Sequence, residues 1–261
     1  MKICRFTIHG VLDAQYGLLE EGTISPLIDA DDFHSQPRAS ADKIPLSEVR
    51  LLAPVVPSKV ICVGRNYRDH AAELGNQMPS EPLLFLKAPS AIISSDDFIE
   101  LPTLSEQVEY EGELGVVIGR AAHILNEADD PLAYVLGYTC VNDVTARDLQ
   151  RKDVQFTRAK SFDTFCPVGP LIETSLDPND VLLTTCVNGQ IKQQARTSVM
   201  AFSVSYLIRF ISQVMTLYPG DLIATGTPAG VSRLKAGDVV EVEVEGVGVL
   251  RNGVRQVQPA V

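Results

Sequence analysis

Val108-Glu109-Tyr110-Glu111-Gly112-Glu113-Leu114-Gly115-Val116-Val117-Ile118-Gly119 changes character halfway along its length. It opens with a glutamate at every second position, a period that sends Glu109, Glu111 and Glu113 to one face of an extended strand. It closes on the apolar run Val116-Val117-Ile118, which marks entry into a sheet covered on both faces. One long strand over 108–119 is therefore expected, running from an acidic patch into the core. Around it, Val60–Gly64, Leu83–Leu86, Gly137–Val141 and Val239–Val244 read as further strands. Leu182–Val187 is followed by the hairpin signal Asn188-Gly189, and Asn252-Gly253 reads as closing a last turn. Helices are few. Asp69–Gly75 is a short one stopped by Gly75 and Pro79, and Asp130-Pro131 caps another. Ser203 caps a third with Val204, Leu207, Ile208, Ile211 and Met215 on one face. The fold class expected is mixed α/β, mainly β and largely antiparallel, without a βαβ rhythm.

The chain has 261 residues, of which 45% are hydrophobic, enough for one sizeable core and a small appendage. Alternation at Ile3–Ile8, a second strand at Ala14–Glu20, a polar loop at Asp29–Asp42 and the pair Pro54 and Pro57 set the appendage off. The expected organisation is a small β-rich N-terminal domain over 1–55 and a catalytic domain over 56–261. A net charge of −11 argues against nucleic acid or an anionic membrane as partner. No segment has the 18 or so apolar residues of a membrane span, and the first residues alternate instead of forming a signal-peptide run. The five cysteines (4, 62, 140, 166 and 186) lack CxxC spacing and read as reduced thiols, so a cytoplasmic location is expected and a structural zinc site is not.

Three carboxylates on one strand face repel unless they are solvated or bridged by a cation. The chain carries its own control: Glu241, Glu243 and Glu245 have the same spacing in an even Val/Glu alternation, the pattern of a solvated face. The first set runs instead into a buried segment, and Asp143 ends a second apolar strand. Oxygen ligands of this kind suit Mg²⁺ or Mn²⁺ better than zinc. Spacing alone leaves a metal site and a structural face open. His70 and Glu73 lie at i and i+3 on the short helix, where a carboxylate can orient an imidazole as a general base or merely form an exposed ion pair. His9, His34 and His123 have no such partner and are expected on the surface. Lys160, in Ala159-Lys160-Ser161-Phe162-Asp163, is either a pocket cation or a snorkelling surface residue.

Seven ordered motifs together resemble the fumarylacetoacetate hydrolase family. They are Val63-Gly64-Arg65-Asn66-Tyr67-Arg68-Asp69-His70, Phe85-Leu86-Lys87, Tyr110-Glu111-Gly112-Glu113-Leu114, Asp143-Val144-Thr145-Ala146-Arg147-Asp148, Ala159-Lys160-Ser161-Phe162-Asp163, Val187-Asn188-Gly189 and Ala224-Thr225-Gly226-Thr227-Pro228. The match spans roughly 57–252, and 1–55 looks like the short N-terminal domain of many bacterial members. The resemblance implies a β-sandwich roll, a homodimer, Mg²⁺ or Mn²⁺ on Glu111, Glu113 and Asp143, and a His70–Glu73 dyad on a mobile lid helix. It puts Lys160 in the pocket, with Arg65, Lys87, Gln150 and Thr227 lining or flanking the substrate. The implied substrate is a small 2-oxo or 2,4-dioxo acid whose enolate is stabilised by the cation. Cleavage of an acylpyruvate or decarboxylation of oxaloacetate is the leading expectation. A hydroxymuconate-type isomerase or oxaloacetate tautomerase is the alternative, and a non-catalytic binding protein is the rival from another class.

Overall fold

The computed structural model describes residues 1–11, 13–28 and 37–257. The expected surface position of His34, and most of the expected loop at Asp29–Asp42, lie outside the described residues. The architecture is mainly β, with helices α1 (Arg68–Glu73), α2 (Arg147–Lys152), α3 (Thr157–Lys160) and α4 (Val204–Val214) among the described residues.

A twelve-stranded sheet holds Gly112–Ile118 near its middle, antiparallel to Val135–Asn142 on one side and Leu222–Ala224 on the other. A five-stranded sheet contains the hairpin of Leu182–Val187 and Gln190–Arg196, then Val239–Val244, Gly248–Gln256 and Phe98–Leu101. Alternate residues of the 112–118 strand supply two different cores. Leu114, Val116 and Ile118 pack with Leu183, Val242, Val244 and Leu250 of the smaller sheet and with Val204, Leu207, Ile208 and Ile211 of α4. Val117 faces the opposite core with Val60, Cys62, Val141 and Leu222. A strand clothed on both faces must be apolar at consecutive positions, which is what its second half shows. The β-rich N-terminal segment joins the same large sheet through Lys2–Ile8, antiparallel to Cys166–Glu173.

The α4 prediction holds at its cap, with the Ser203 hydroxyl accepting from the Tyr206 N–H, and on the face of Val204, Leu207, Ile208 and Ile211. The helix ends at Val214, however, and Met215 lies beyond it in extended conformation. Two other expectations need correcting. The 108–119 segment is not one strand: Val108–Glu109 pairs with Thr145–Ala146, and Gly112–Ile118 pairs in the large sheet. Between them Tyr110 and Glu111 leave the ladder, because the two halves serve different partners. Asn252-Gly253 is not a turn either. It lies inside Gly248–Gln256, where Gly253 is paired with Val239 on one side and Phe98 on the other. A strand with neighbours on both sides cannot fold back at that point. The buried Asn252 amide instead donates to the carbonyls of Ser94 and Asp97.

Candidate active site

The break at Tyr110–Glu111 faces the end of the Val135–Asn142 strand, and the two exits are stitched together. The Asp143 N–H donates to the Glu111 carbonyl at 2.8 Å, and the Glu111 N–H donates to the Asn142 side chain at 3.0 Å. Glu111, Glu113 and Asp143 thereby converge, all buried, with one ligand oxygen of each within 4.8 Å of the others. Glu109 is drawn away. Its carboxylate accepts from Arg147 Nε at 2.8 Å and from Gln107 at 2.6 Å.

Lysines and an arginine crowd the same carboxylates. Lys160, the last residue of α3, places Nζ 2.7 Å from both Glu111 and Asp143. Burial opposes its charge, but the charges of Asp143 and Glu111 outweigh that and push its pKa upward. Its ammonium bridges the two carboxylates. Lys87 Nζ lies 2.6 Å from Asp143 and 3.1 Å from the Val144 carbonyl. Arg147 Nη2 contacts Glu111, and its Nη1 donates to Gln150 at 2.6 Å. Burial likewise opposes charge on Glu111, and Lys160 and Arg147 overcome it and hold its pKa low.

Glu113 is the exception. It accepts the Gly226 N–H at 2.7 Å but contacts no Lys or Arg among the described residues. Burial, then the charges of Asp143 and Glu111, push its pKa well up. Four buried carboxylates (Glu109, Glu111, Glu113 and Asp143) therefore face three cations (Lys87, Arg147 and Lys160). The remaining negative charge needs a proton or a metal. The all-oxygen, buried donor set of Glu111, Glu113 and Asp143 fits a divalent cation.

These groups open into a cavity of about 240 Å³ lined also by Arg65, His70, Phe85, Phe156, Gln150 and Thr227. On α1, His70 Nδ1 stands 3.3 Å from the Glu73 carboxylate. A proton held on Nδ1 by that carboxylate leaves the Nε2 lone pair free. Arg65, at φ 59, has no carboxylate partner among the described residues. The sequence-predicted set is thus brought together, with two refinements of position. Lys87 lies behind Asp143 and does not line the cavity, and the Thr227 hydroxyl is already engaged with Gly112 and Gln193. His9 and His123 are exposed, as expected. Sequence reasoning gave Arg147 no role, although it lies in a quoted motif. Its partners Glu109 and Glu111 are far from it in sequence, so only a surplus of buried carboxylates could have signalled it. Tyr110 and Gln193 were missed in the same way.

Residues 59–255 match the C-terminal fumarylacetoacetate hydrolase family, and residues 1–54 match a family described as Rv2993c-like, N-terminal. The chain belongs to the fumarylacetoacetate hydrolase family. It is 45% identical over 233 residues to a mitochondrial oxaloacetate tautomerase of Bos taurus, covering 83% of this chain and 74% of that protein. The crystal structure named 5-carboxymethyl-2-hydroxymuconate delta-isomerase, from Mycobacterium smegmatis, is similar at a TM-score of 0.89 and 42% identity. That likeness covers 98% of this chain and all of the other. A fumarylacetoacetate hydrolase from the psychrophilic Exiguobacterium antarcticum gives 0.88 and 40%, with 98% and 100% covered. The chain is thus an enzyme of this family, and its buried Glu111, Glu113 and Asp143 form a centre that could hold a divalent metal.

Proposed function

We propose that this protein is an isomerase of small 2-oxo diacids, catalysing keto–enol tautomerisation of an oxaloacetate-like substrate by proton transfer at C3. The observation that carries the reading is one cavity holding an imidazole oriented by a carboxylate, a buried lysine that bridges two carboxylates and a cation-compatible triad. Toward the enol, His70 takes the C3 proton and hands it to the enolate oxygen on C2. Toward the keto form it takes the enol O–H proton and delivers it to C3, and Glu73 holds the ring in the tautomer that can do so. Lys160 meets the negative charge that develops on the 2-oxo oxygen. Mg²⁺ or Mn²⁺, held by Glu111, Glu113 and Asp143, would supply a Lewis acid for the 2-oxo and carboxylate oxygens. Arg65 pairs with the far carboxylate, and the Gln150 amide hydrogens, left free by its bond to Arg147, donate to the substrate.

The relatives named tautomerase and isomerase support proton transfer over the bond cleavage that the sequence motifs put first. Cleavage of an acylpyruvate is the second reading, favoured by the Exiguobacterium antarcticum structure. Proton NMR separates the two. In D₂O with Mg²⁺, oxaloacetate should exchange its C3 protons faster with enzyme than without, while acetylpyruvate stays intact. Release of pyruvate and acetate from acetylpyruvate, without accelerated exchange on oxaloacetate, would replace the first reading by the second.

We also propose a cytoplasmic homodimer. The free cysteines, four of them buried, support the compartment. The edge strands Leu83–Lys87 and Gln190–Arg196 expose Leu83, Leu86 and Ile191, which supports pairing. Light scattering at micromolar concentration should return twice the chain mass, and a monomer mass would reject the dimer.

A further inference from the structure

The loop after the Leu222–Ala224 strand touches both halves of the site. At its start the Gly226 N–H donates to Glu113 Oε2 at 2.7 Å. Four residues on, the Gly230 N–H donates to both Glu73 oxygens, at 3.0 and 3.2 Å. Both glycines have left-handed φ values, 103 and 111 degrees, which side-chain-bearing residues adopt only with strain. Nor is there room for a side chain at Gly230, where a Cβ would fall 2.0 Å from the Lys192 carbonyl oxygen.

Two buried polar residues fix this loop. The Tyr110 hydroxyl donates to the Gly230 carbonyl at 2.7 Å, with Ser232 Oγ at 2.9 Å. The Gln193 amide donates to Thr227 Oγ1 and to the Pro228 carbonyl, both at 2.7 Å, while its oxygen accepts the Gly112 N–H at 3.0 Å. Gly112 sits between the two glutamates of the triad, and Tyr110 adjoins the first of them.

We infer that the 226–230 segment is a positioning device that ties the acidic centre to the dyad, with Tyr110 and Gln193 as its anchors. Gly226 sets Glu113, and Gly230 sets Glu73 and through it His70. Tyr110 touches no reacting atom. It acts by holding the Gly230 carbonyl, and losing its hydroxyl frees the Gly230 backbone to turn its N–H, on the preceding peptide unit, away from Glu73. The kinetic part of the test rests on the proposed proton transfer, and the exchange part does not.

Tyr110→Phe keeps the buried ring and removes the hydroxyl. One hydrogen bond is worth about a five- to tenfold change in an opening equilibrium. Amide exchange at Ala71, Leu74 and Gly75, which bond within or beside α1, should rise by about that factor. Exchange in the 112–118 and 135–142 strands should not change. On oxaloacetate kcat should fall by about tenfold with KM within about twofold, because binding groups remain while the base is misaimed. Tyr138→Phe, at a core tyrosine away from the loop, should alter none of these. Gly230→Ala should raise α1 exchange further. Unchanged α1 exchange in both loop variants would overturn the inference, as would a uniform rise that includes the two central strands. A wild-type protein that turns over no 2-oxo acid would sink the proposed activity, and the exchange comparison would still decide the positioning role.

Discussion

Glu109, Glu111 and Glu113 share their spacing with Glu241, Glu243 and Glu245, yet the two triplets end in opposite environments. The first triplet is fully buried. The second stands on the outward face of the Val239–Val244 strand and the turn after it, while Val240, Val242 and Val244 point inward. Period two places residues on a face, but it does not say what covers that face. Cover decides the chemistry. The outward glutamates face solvent, and Glu241 also meets Arg251 at 3.6 Å. The buried set recruits Arg147 and Lys160, with Lys87 on the adjoining Asp143, and still leaves Glu113 without a cation.

The largest expected effect breaks the likeness between the triplets outright. Glu113→Ala should abolish activity and Mg²⁺ binding in a protein that stays folded, whereas Glu243→Ala should change activity less than about twofold. Removing a Lewis acid forfeits several kcal/mol of charge stabilisation, about a thousandfold or more in rate. Exhaustive dialysis against EDTA should have the same effect on the wild type, reversed by Mg²⁺ or Mn²⁺. Full activity in excess EDTA would return the first triplet to a structural role.

Next comes the dyad, which the outward triplet lacks altogether. His70→Ala should slow C3 proton exchange by about two to four orders of magnitude, the usual worth of a general base. Oxalate affinity, read by calorimetry, should stay within about threefold, since the triad and Lys160 are intact. An equal loss of exchange and of oxalate binding would make His70 a binding residue and not the base.

Stability should separate the two regions as well. Lys87 and Asp143 form a pair excluded from water, whereas Arg251 and Glu241 are 51% and 36% exposed. Lys87→Met leaves Asp143 only Lys160, which it shares with Glu111, and so adds to the buried surplus of negative charge; it should cost about 3 kcal/mol by urea unfolding. Arg251→Met should cost less than about 1 kcal/mol, because water and salt screen that pair. Similar costs would mean that the buried cluster has solvent access.

What could be read from the sequence follows the same division. Alternation, the apolar run and the Asp143 strand end were local patterns, so an acidic patch and the strands beneath it were legible, while the choice of Glu111, Glu113 and Asp143 as a metal triad came only with the family motifs. The Ser203 cap and the α4 face were legible for the same reason. The break at Tyr110–Glu111 was not, since it depends on pairing with Thr145–Ala146 some 35 residues on. Asn252-Gly253 misled because a turn signal means a turn only where the flanking strands are free to pair with each other. The roles of Arg147, Gln193 and Tyr110 depend on partners that only the folded chain brings near. Charge bookkeeping comes closest to revealing them: buried carboxylates in surplus require buried donors.

The smallest expected effect uses thiols as reporters of the two regions. Cys186 lies opposite Glu241 in the smaller sheet and is half-buried, while Cys62 and Cys166 are wholly buried beneath the acidic centre. Burial raises the Cys186 pKa, and Glu241 and Glu243 raise it further by disfavouring a second negative charge nearby. Burial is also the main cause at Cys166, where it pushes the thiol up to about 12, and at Cys62, which is raised well above the ordinary range. Only the thiolate reacts with iodoacetamide. Cys186 should therefore be alkylated in the folded protein, faster as pH rises toward its elevated pKa. Cys62 and Cys166 should react only after unfolding. Glu241→Gln and Glu243→Gln together should speed Cys186 labelling by no more than about threefold in low salt, and by less in 1 M salt, because exposed charges are screened over a few ångströms. Peptide mass spectrometry reads all three sites at once. Labelling of Cys62 in the folded chain at a rate near that of Cys186 would show that the floor of the acidic centre opens to water, and the contrast between the two triplets would lose its physical basis.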